Sequence, residues 1–209
     1  MKKLLFTSAA LFFTFVGNIS CSNATTNNNE QTNNEVMNTD ASKDTTKHNY
    51  DTAIFAGGCF WGVQYYFEKA KGVINTEVGY IGGHVDNPTY QQVCSHTSGH
   101  YEAIRVTYDP KLTTYDAMAR LFFNIHDPGQ TDGQGPDIGE QYMSVVFYMN
   151  DAQKQTATTL IGLLKNKGIK VATTLKPATT FWVAEKYHQH HYDHEGSTPY
   201  CHHFQDKFN

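Results

Sequence analysis

Between Ser22 and Asn49 the chain carries only two sizeable apolar residues, Val36 and Met37, among Asn, Thr, Ser, Asp and Glu. So little apolar surface cannot offset the entropy of ordering the segment, and residues 22–49 read as a flexible tether. Any hydrophobic core must therefore come from residues further along the chain. Aromatic and β-branched residues return at Tyr50, and the folded domain is expected over 50–209 of the 209 residues. That length suits one domain.

Ahead of the tether, Met1-Lys2-Lys3 forms a positive n-region, and Leu4 to Val16 is an apolar h-region too short to span a bilayer comfortably. Asn18-Ile19-Ser20-Cys21 is similar to a bacterial lipoprotein cleavage site, with Asn18 where an aliphatic residue is usual. Residues 1–21 are thus read as an export signal of lipoprotein type. The expectation is an exported, periplasmic or cell-envelope protein, anchored to the membrane through a lipid on Cys21. A signal cut nearby, with Cys21 incidental, is the alternative.

Lys+Arg 16 against Asp+Glu 20 leaves a formal net charge of −4, and no basic run interleaves with stacking aromatics. Nucleic acid is therefore not an expected partner. Beyond Cys21 the chain keeps Cys59, Cys94 and Cys201. An odd number in an exported domain argues for at least one reactive thiol rather than a purely structural disulfide framework.

Thr52 to Ala56 is a short apolar run stopped by Gly57-Gly58, as a buried strand would be. Phe60, Val63, Tyr66 or Phe67 and Ala70 then recur at helical spacing, which predicts a helix from Cys59 to about Lys71. Val73 to Tyr80 and Glu102 to Tyr108 alternate like strands, separated by a Gly-rich loop and the turn signal Asn87-Pro88-Thr89-Tyr90. A second helix is expected from Thr114 to about Ile125 and a polar loop over His126 to Gln141. A strand over Tyr142 to Met149, a helix from Asp151 to about Lys167 ended by Gly168, and a strand over Val171 to Leu175 complete the pattern. Irregular coil is expected after Phe181. This order predicts an α+β fold of the ferredoxin-like split βαβ type, a two-layer sandwich with a coil-rich C-terminal tail.

Within this frame stands Gly57-Gly58-Cys59-Phe60-Trp61-Gly62. A strand-then-helix boundary puts Cys59 at the first turn of a helix, where unpaired N–H groups and the macrodipole favour a thiolate. The glycines would let the backbone turn sharply and leave the sulfur open. Phe60 and Trp61 would add an apolar surface for a substrate with a small greasy group on an electrophilic atom. A buried helix-start cysteine with core aromatics would produce the same letters.

GGCFWG, GYIGGHVDNPTYQQVCSHTSGHYEAIRVTYDP, HDPGQTDGQGPDIGEQY and AEKYHQHHYDHEGSTPYC, in that order, resemble the peptide methionine sulfoxide reductases of the A class, from about Ile54 to Cys201. The resemblance implies that Cys59 attacks the sulfoxide sulfur and that Phe60 and Trp61 hold the S-methyl group. It implies Glu102 as the general acid, Tyr90 and Tyr142 as hydrogen-bond donors to the sulfoxide oxygen, and Asp137 as a supporting polar group. The S epimer would be reduced, free or in proteins, to methionine. Cys59 would become a sulfenic acid and condense with Cys201, carried on a mobile tail, into a disulfide. Thioredoxin or an exported thioredoxin-like dithiol would then reduce the Cys59–Cys201 bond. On this reading the enzyme repairs oxidised exported proteins, works as a monomer and needs no cofactor or metal.

Cys94 reads as a packing residue. Two positions depart from the family pattern: Thr131-Asp132-Gly133-Gln134 lacks the Asn-Arg usual before the glutamine, and Met143 stands where an arginine is usual. A metal module is a rival, because His188, His190, His191, His194, His202 and His203 crowd Cys201. A cysteine hydrolase is another, although the papain-type Cys-Gly-Ser-Cys-Trp pattern is absent. A thiol peroxidase would also form a sulfenic acid, but would leave the aromatic methyl site without a purpose.

Overall fold

The structure, a computed structural model, describes residues 49–209. The export signal with Cys21, and the tether up to residue 48, lie outside the described residues. Along the chain run β1 (Asp51–Ala56), α1 (Phe60–Phe67), β2 (Val73–Ile81), α2 (Tyr90–Cys94), β3 (Tyr101–Tyr108) and α3 (Tyr115–Ile125). Next come β4 (Gly133–Gln134), β5 (Asp137–Ile138), β6 (Val145–Tyr148), α4 (Asp151–Asn166), β7 (Thr174–Pro177), β8 (Trp182–Val183) and α5 (His191–Glu195). Single 3₁₀ turns occupy Glu140–Tyr142 and Lys186–His188.

Six strands form one mixed sheet in the order β7-β6-β1-β3-β2-β8. All neighbours are antiparallel except β6 and β7, which run parallel. The class is α+β. Alternation along β1 sets the two faces: Ala53 and Phe55 point to one side, Ile54 and Ala56 to the other. The first side meets Val63 and Phe67 of α1, Met118, Phe122 and Phe123 of α3, and Ala157, Leu160 and Leu164 of α4. Phe55 stacks on Phe67 and Phe122 at centroid distances of 5.6 and 4.8 Å. Each ring so buried contributes about 1.5–3 kcal/mol by leaving water. The second side is covered by Tyr101, Ala178 and Phe181.

Caps fix where the longer helices start. The Thr114 side chain accepts the Ala117 N–H at 3.2 Å, and that of Asn150 accepts the Gln153 N–H at 2.9 Å. Helix α1 stops at Phe67, short of the expected Lys71, because the next residues make a turn with Ala70 N–H on the Phe67 carbonyl and Gly72 at φ 84°. The expected strand over Tyr142 to Met149 is confined to Val145–Tyr148, Tyr142 being held in the 3₁₀ turn. The expected strand over Val171 to Leu175 shifts to Thr174–Pro177, where β6 offers pairing partners from Val145 to Tyr148.

Three short features depart from the sequence reading. Thr89 opens helix α2 rather than a plain turn, through a capping box with Gln92. The polar loop after His126 contains the β4–β5 hairpin. The segment after Phe181, expected as irregular coil, contributes β8 to the sheet edge and then a 3₁₀ turn and α5. Only from Gly196 onward is the chain without helix or strand.

That last segment is not loose. The Gln205 N–H donates to the Asn124 carbonyl at 2.8 Å, the Lys207 N–H to Asn124 Oδ1 at 2.9 Å, and the Tyr66 hydroxyl to the His202 carbonyl at 3.2 Å. These bonds pin the C-terminus to α1 and α3. The mobile tail expected for Cys201 is instead a strap across the helix face.

Candidate active site

The site forms where β1 hands over to α1. Gly58 takes φ 99°, a conformation that favours glycine, and turns the chain so that Cys59 becomes the N-cap residue of α1. The cysteine is buried, with only 8 % of its surface exposed. The expectation of an open sulfur is therefore corrected: Gly62 does not expose the thiol but makes room for His202, whose Nδ1 would collide with a Cβ there.

Glu102 comes from the middle of the sheet. On β3 it faces Tyr80 of β2, and its side chain is fully buried. Its Oε2 accepts the Phe60 N–H at 3.1 Å, which leaves Oε1 to carry a proton. Burial raises its pKa well above the ordinary carboxylate value, and the neighbouring Cys59 and Asp137 push it further. The Phe60 N–H opposes this without reversing it. The balance lies on the side of the protonated acid, relative to an ordinary carboxyl.

Cys59, Phe60, Trp61, Tyr90, Glu102, Asp137, Tyr142 and Tyr200 line one cavity of about 100 Å³. That volume suits the end of one side chain rather than a larger ligand. Tyr90 is the first residue of α2, and its N–H donates to Glu185 Oε1 at 2.9 Å. Tyr142 closes the 3₁₀ turn after β5. Both hydroxyls are pushed upward, by burial first; for Tyr90 the Cys94 thiol comes next and then Glu102, and for Tyr142 Glu102 comes next. Both therefore remain protonated donors. Asp137 accepts the Tyr200 hydroxyl at 3.0 Å on Oδ1, while its buried Oδ2 has no hydrogen-bond partner among the described residues.

Phe60 packs against Tyr80 and His188 at 5.9 and 5.1 Å. Trp61 is fixed more firmly. Its Nε1–H donates to His188 Nδ1 at 3.1 Å, and its ring stacks on His191 at 3.7 Å and 14°. Burial lowers the pKa of His188, so its ring stays neutral and Nδ1 can accept.

Cys201 lies outside that cavity, is itself buried, and sits close enough to Cys59 to perturb its thiol. All three cysteines of the described residues are free thiols. The sequence reading expects the helix start to favour the Cys59 thiolate, yet the net direction is the opposite. The hydrogen bond to Cys201 raises the Cys59 pKa most, burial next and the Cys201 charge after it. The backbone N–H groups of Trp61 and Gly62 pull downward and are outweighed. Two adjacent buried sulfurs cannot both ionise.

All the site residues expected in the domain thus converge on one locus. The sequence reading gives no role there to Tyr200, His188, Glu185 or His202. Tyr200 is legible as the neighbour of Cys201, whereas His188 and His202 stand out only as metal ligands. The C-terminal histidines in fact separate into distinct contacts: His188 on Trp61, His190 on Glu68, His191 stacked on Trp61 and His202 on Cys201. Among the described residues no three His, Cys, Asp or Glu side chains converge as metal ligands.

The family model for peptide methionine sulfoxide reductase matches residues 51–209. The chain belongs to this family. It is 46% identical over 143 residues to the peptide methionine sulfoxide reductase MsrA of Methanothermobacter thermautotrophicus, covering 67% of this chain and 85% of that protein. To the MsrA of Nautilia profundicola it is 44% identical over 149 residues, covering 71% and 86%. Among solved structures it is similar to reduced Mxr1 from Saccharomyces cerevisiae, with a TM-score of 0.70 at 31% identity over 78% of this chain and 97% of that one. It is also similar to the methionine sulfoxide reductase A of Corynebacterium diphtheriae, with a TM-score of 0.64 at 29% identity over 72% and 78%. The same fold recurs, at 24% identity and a TM-score of 0.51, in Mxr1 from Saccharomyces cerevisiae in complex with Trx2.

Proposed function

We propose that this reductase converts the S epimer of methionine sulfoxide, free or in a protein chain, to methionine through a Cys59 sulfenic acid. The observation that carries this reading is a fully buried Glu102, its pKa raised by that burial, opening on the same small cavity as Cys59. A sulfoxide oxygen leaves only once protonated, and a carboxylic acid within the cavity can supply that proton. The Tyr90 and Tyr142 hydroxyls line the same space and would bond the oxygen as negative charge develops on it. The S-methyl group would rest on Phe60 and Trp61, and burying it is worth on the order of 1 kcal/mol. That is enough to bias which epimer presents its sulfur to Cys59. Asp137, tied to Tyr200, would support the polar side of the cavity.

Atoms and electrons balance in two steps. Cys59 sulfur takes the oxygen, protonated by Glu102, as the sulfoxide S–O bond breaks and methionine leaves; the Cys59 thiol proton restores Glu102, and Cys59 holds a sulfenic acid. Cys201 then displaces that hydroxyl, forming the Cys59–Cys201 disulfide and water. The burial of both sulfurs and the influence of Cys201 on the Cys59 thiol support Cys201 in this role. Thioredoxin or a related dithiol protein would restore both thiols. Mxr1, a structure of the same fold, is described in complex with Trx2.

The ferredoxin-like description of the fold rests on strand order: β3 lies between β1 and β2 and runs against both, with β6 on the far side of β1. Export and lipidation of Cys21 rest on the pattern of residues 1–21, as does a role in repairing oxidised exported proteins. Among the described residues no helix is long and apolar enough to cross a membrane.

Cys201→Ser tests the division of labour. A stoichiometric burst of methionine should give way to a stalled sulfenic acid, trapped by dimedone and seen by mass spectrometry, with thioredoxin-driven turnover slowed. Undiminished turnover would show that another thiol resolves Cys59.

A further inference from the structure

The C-terminal strap brings an imidazole to the second thiol. His202 Nε2 lies 2.7 Å from the Gly57 carbonyl, and Nδ1 lies 3.1 Å from Cys201 Sγ. A carbonyl can only accept, so Nε2 carries the hydrogen. Burial lowers the pKa of this ring, so it is neutral at pH 7 and Nδ1 presents a lone pair. The Cys201 S–H is then the donor to Nδ1. The ring is 1 % exposed, pressed against Gly62, where only a hydrogen atom leaves it room.

We propose that His202 is the general base for Cys201 when it attacks the Cys59 sulfenic acid. This rests on the sulfenic acid route set out above. Nδ1 removes the Cys201 proton, and the sulfur forms the S–S bond as the Cys59 S–O bond breaks. The departing hydroxide takes the proton back from the imidazolium and leaves as water. Cys59 is reduced, Cys201 is oxidised, and His202 returns to its neutral tautomer. The anchor to Gly57 ties the base to the loop that carries Cys59, so the base, Cys201 and Cys59 keep their alignment. The titratable groups that act on the imidazole are the Cys201 thiol, Asp137 from β5 and His126 just beyond α3. Asp137 favours the transient imidazolium and His126 opposes it.

The test is a rapid-quench single turnover of the full-length reduced protein, tracking methionine release and disulfide formation separately. In His202→Gln the amide can still donate to Gly57 but cannot act as a base. Disulfide formation, measured relative to methionine release, should slow by about 10²-fold at pH 7, the low end of what a positioned base contributes. The deficit should shrink as pH rises and hydroxide replaces the imidazole. A disulfide that forms as fast as in the parent, or a deficit equal at every pH, would overturn the assignment. A second measurement needs no variant: ¹⁵N NMR of the reduced protein should show His202 protonated at Nε2 and bare at Nδ1. The opposite tautomer also overturns it. Failure of the unsubstituted protein to release methionine would sink the sulfenic acid route instead.

Discussion

Glu102→Gln is expected to cut methionine formation by about 10²–10⁴-fold, the range a positioned general acid contributes, and at the same time to stabilise the fold at neutral pH. The amide keeps the acceptor for the Phe60 N–H, so the geometry at the start of α1 survives. What it lacks is a proton that the sulfoxide oxygen can take. The direction of the pKa shift sets the pH profile. The acid is active while protonated, and its pKa is raised by burial and then by the neighbouring Cys59 and Asp137, so turnover should fall as pH rises through that elevated value. The variant should lose this limb of the profile.

Stability moves the other way. Between the ordinary carboxylate pKa and the raised folded one, the unfolded chain has released the proton that the native protein retains. Unfolding therefore becomes easier as pH climbs through that window. A glutamine has no proton to release, so the melting temperature of Glu102→Gln at neutral pH should exceed that of the parent, and the two should converge in acid below the ordinary carboxylate range. A variant that is as active as the parent removes Glu102 from the chemistry. A melting temperature unchanged at neutral pH would mean the carboxyl is ionised in the native protein.

Cys59→Ser is expected to abolish reduction entirely. No neighbouring sulfur can substitute: Cys201 lies outside the cavity, and Cys94, at the end of α2, does not line it either. A serine hydroxyl also cannot be oxidised to a sulfenic acid analogue. Methionine should stay at background even with excess dithiothreitol, while circular dichroism is unchanged, because a slightly smaller buried atom leaves the capping position intact. Persistent turnover would place the nucleophile elsewhere. The raised Cys59 pKa adds a second expectation. With Cys201 replaced by alanine, the hydrogen bond and charge that hold the thiol up disappear. Alkylation of Cys59 by iodoacetamide should then titrate at lower pH than in the parent.

Much of this is legible in the letters because it rests on local rules. Alternation in β1, β2 and β3 and the apolar periods of α1, α3 and α4 state their own type, and their order implies the sheet. Helix α2 is readable too, since Thr89-x-x-Gln92 is a capping box, but the preceding Asn-Pro reads first as a turn. Strands β4, β5 and β8, two residues each, carry no period that a sequence could display and exist through tertiary pairing. The residues about Cys59 announce themselves by motif. Their supports do not: Glu185 bridges Tyr80 and the Tyr90 N–H, and His188 holds Trp61, contacts more than 90 residues apart in the chain. His202 is hidden among eleven histidines, and only the path of the strap reveals which one meets a thiol.

The proposed deoxygenation of a sulfoxide depends on a buried thiol and a carboxylic acid that share one small cavity. Its most direct measurement is an anaerobic single turnover of the fully reduced protein with separated epimers of N-acetylmethionine sulfoxide, without any added reductant. The S epimer should yield one methionine derivative per chain as two thiols disappear, Cys94 stays alkylatable and peptide mapping finds Cys59 joined to Cys201; the R epimer should yield none. Thiols left intact and neither epimer deoxygenated would contradict the account.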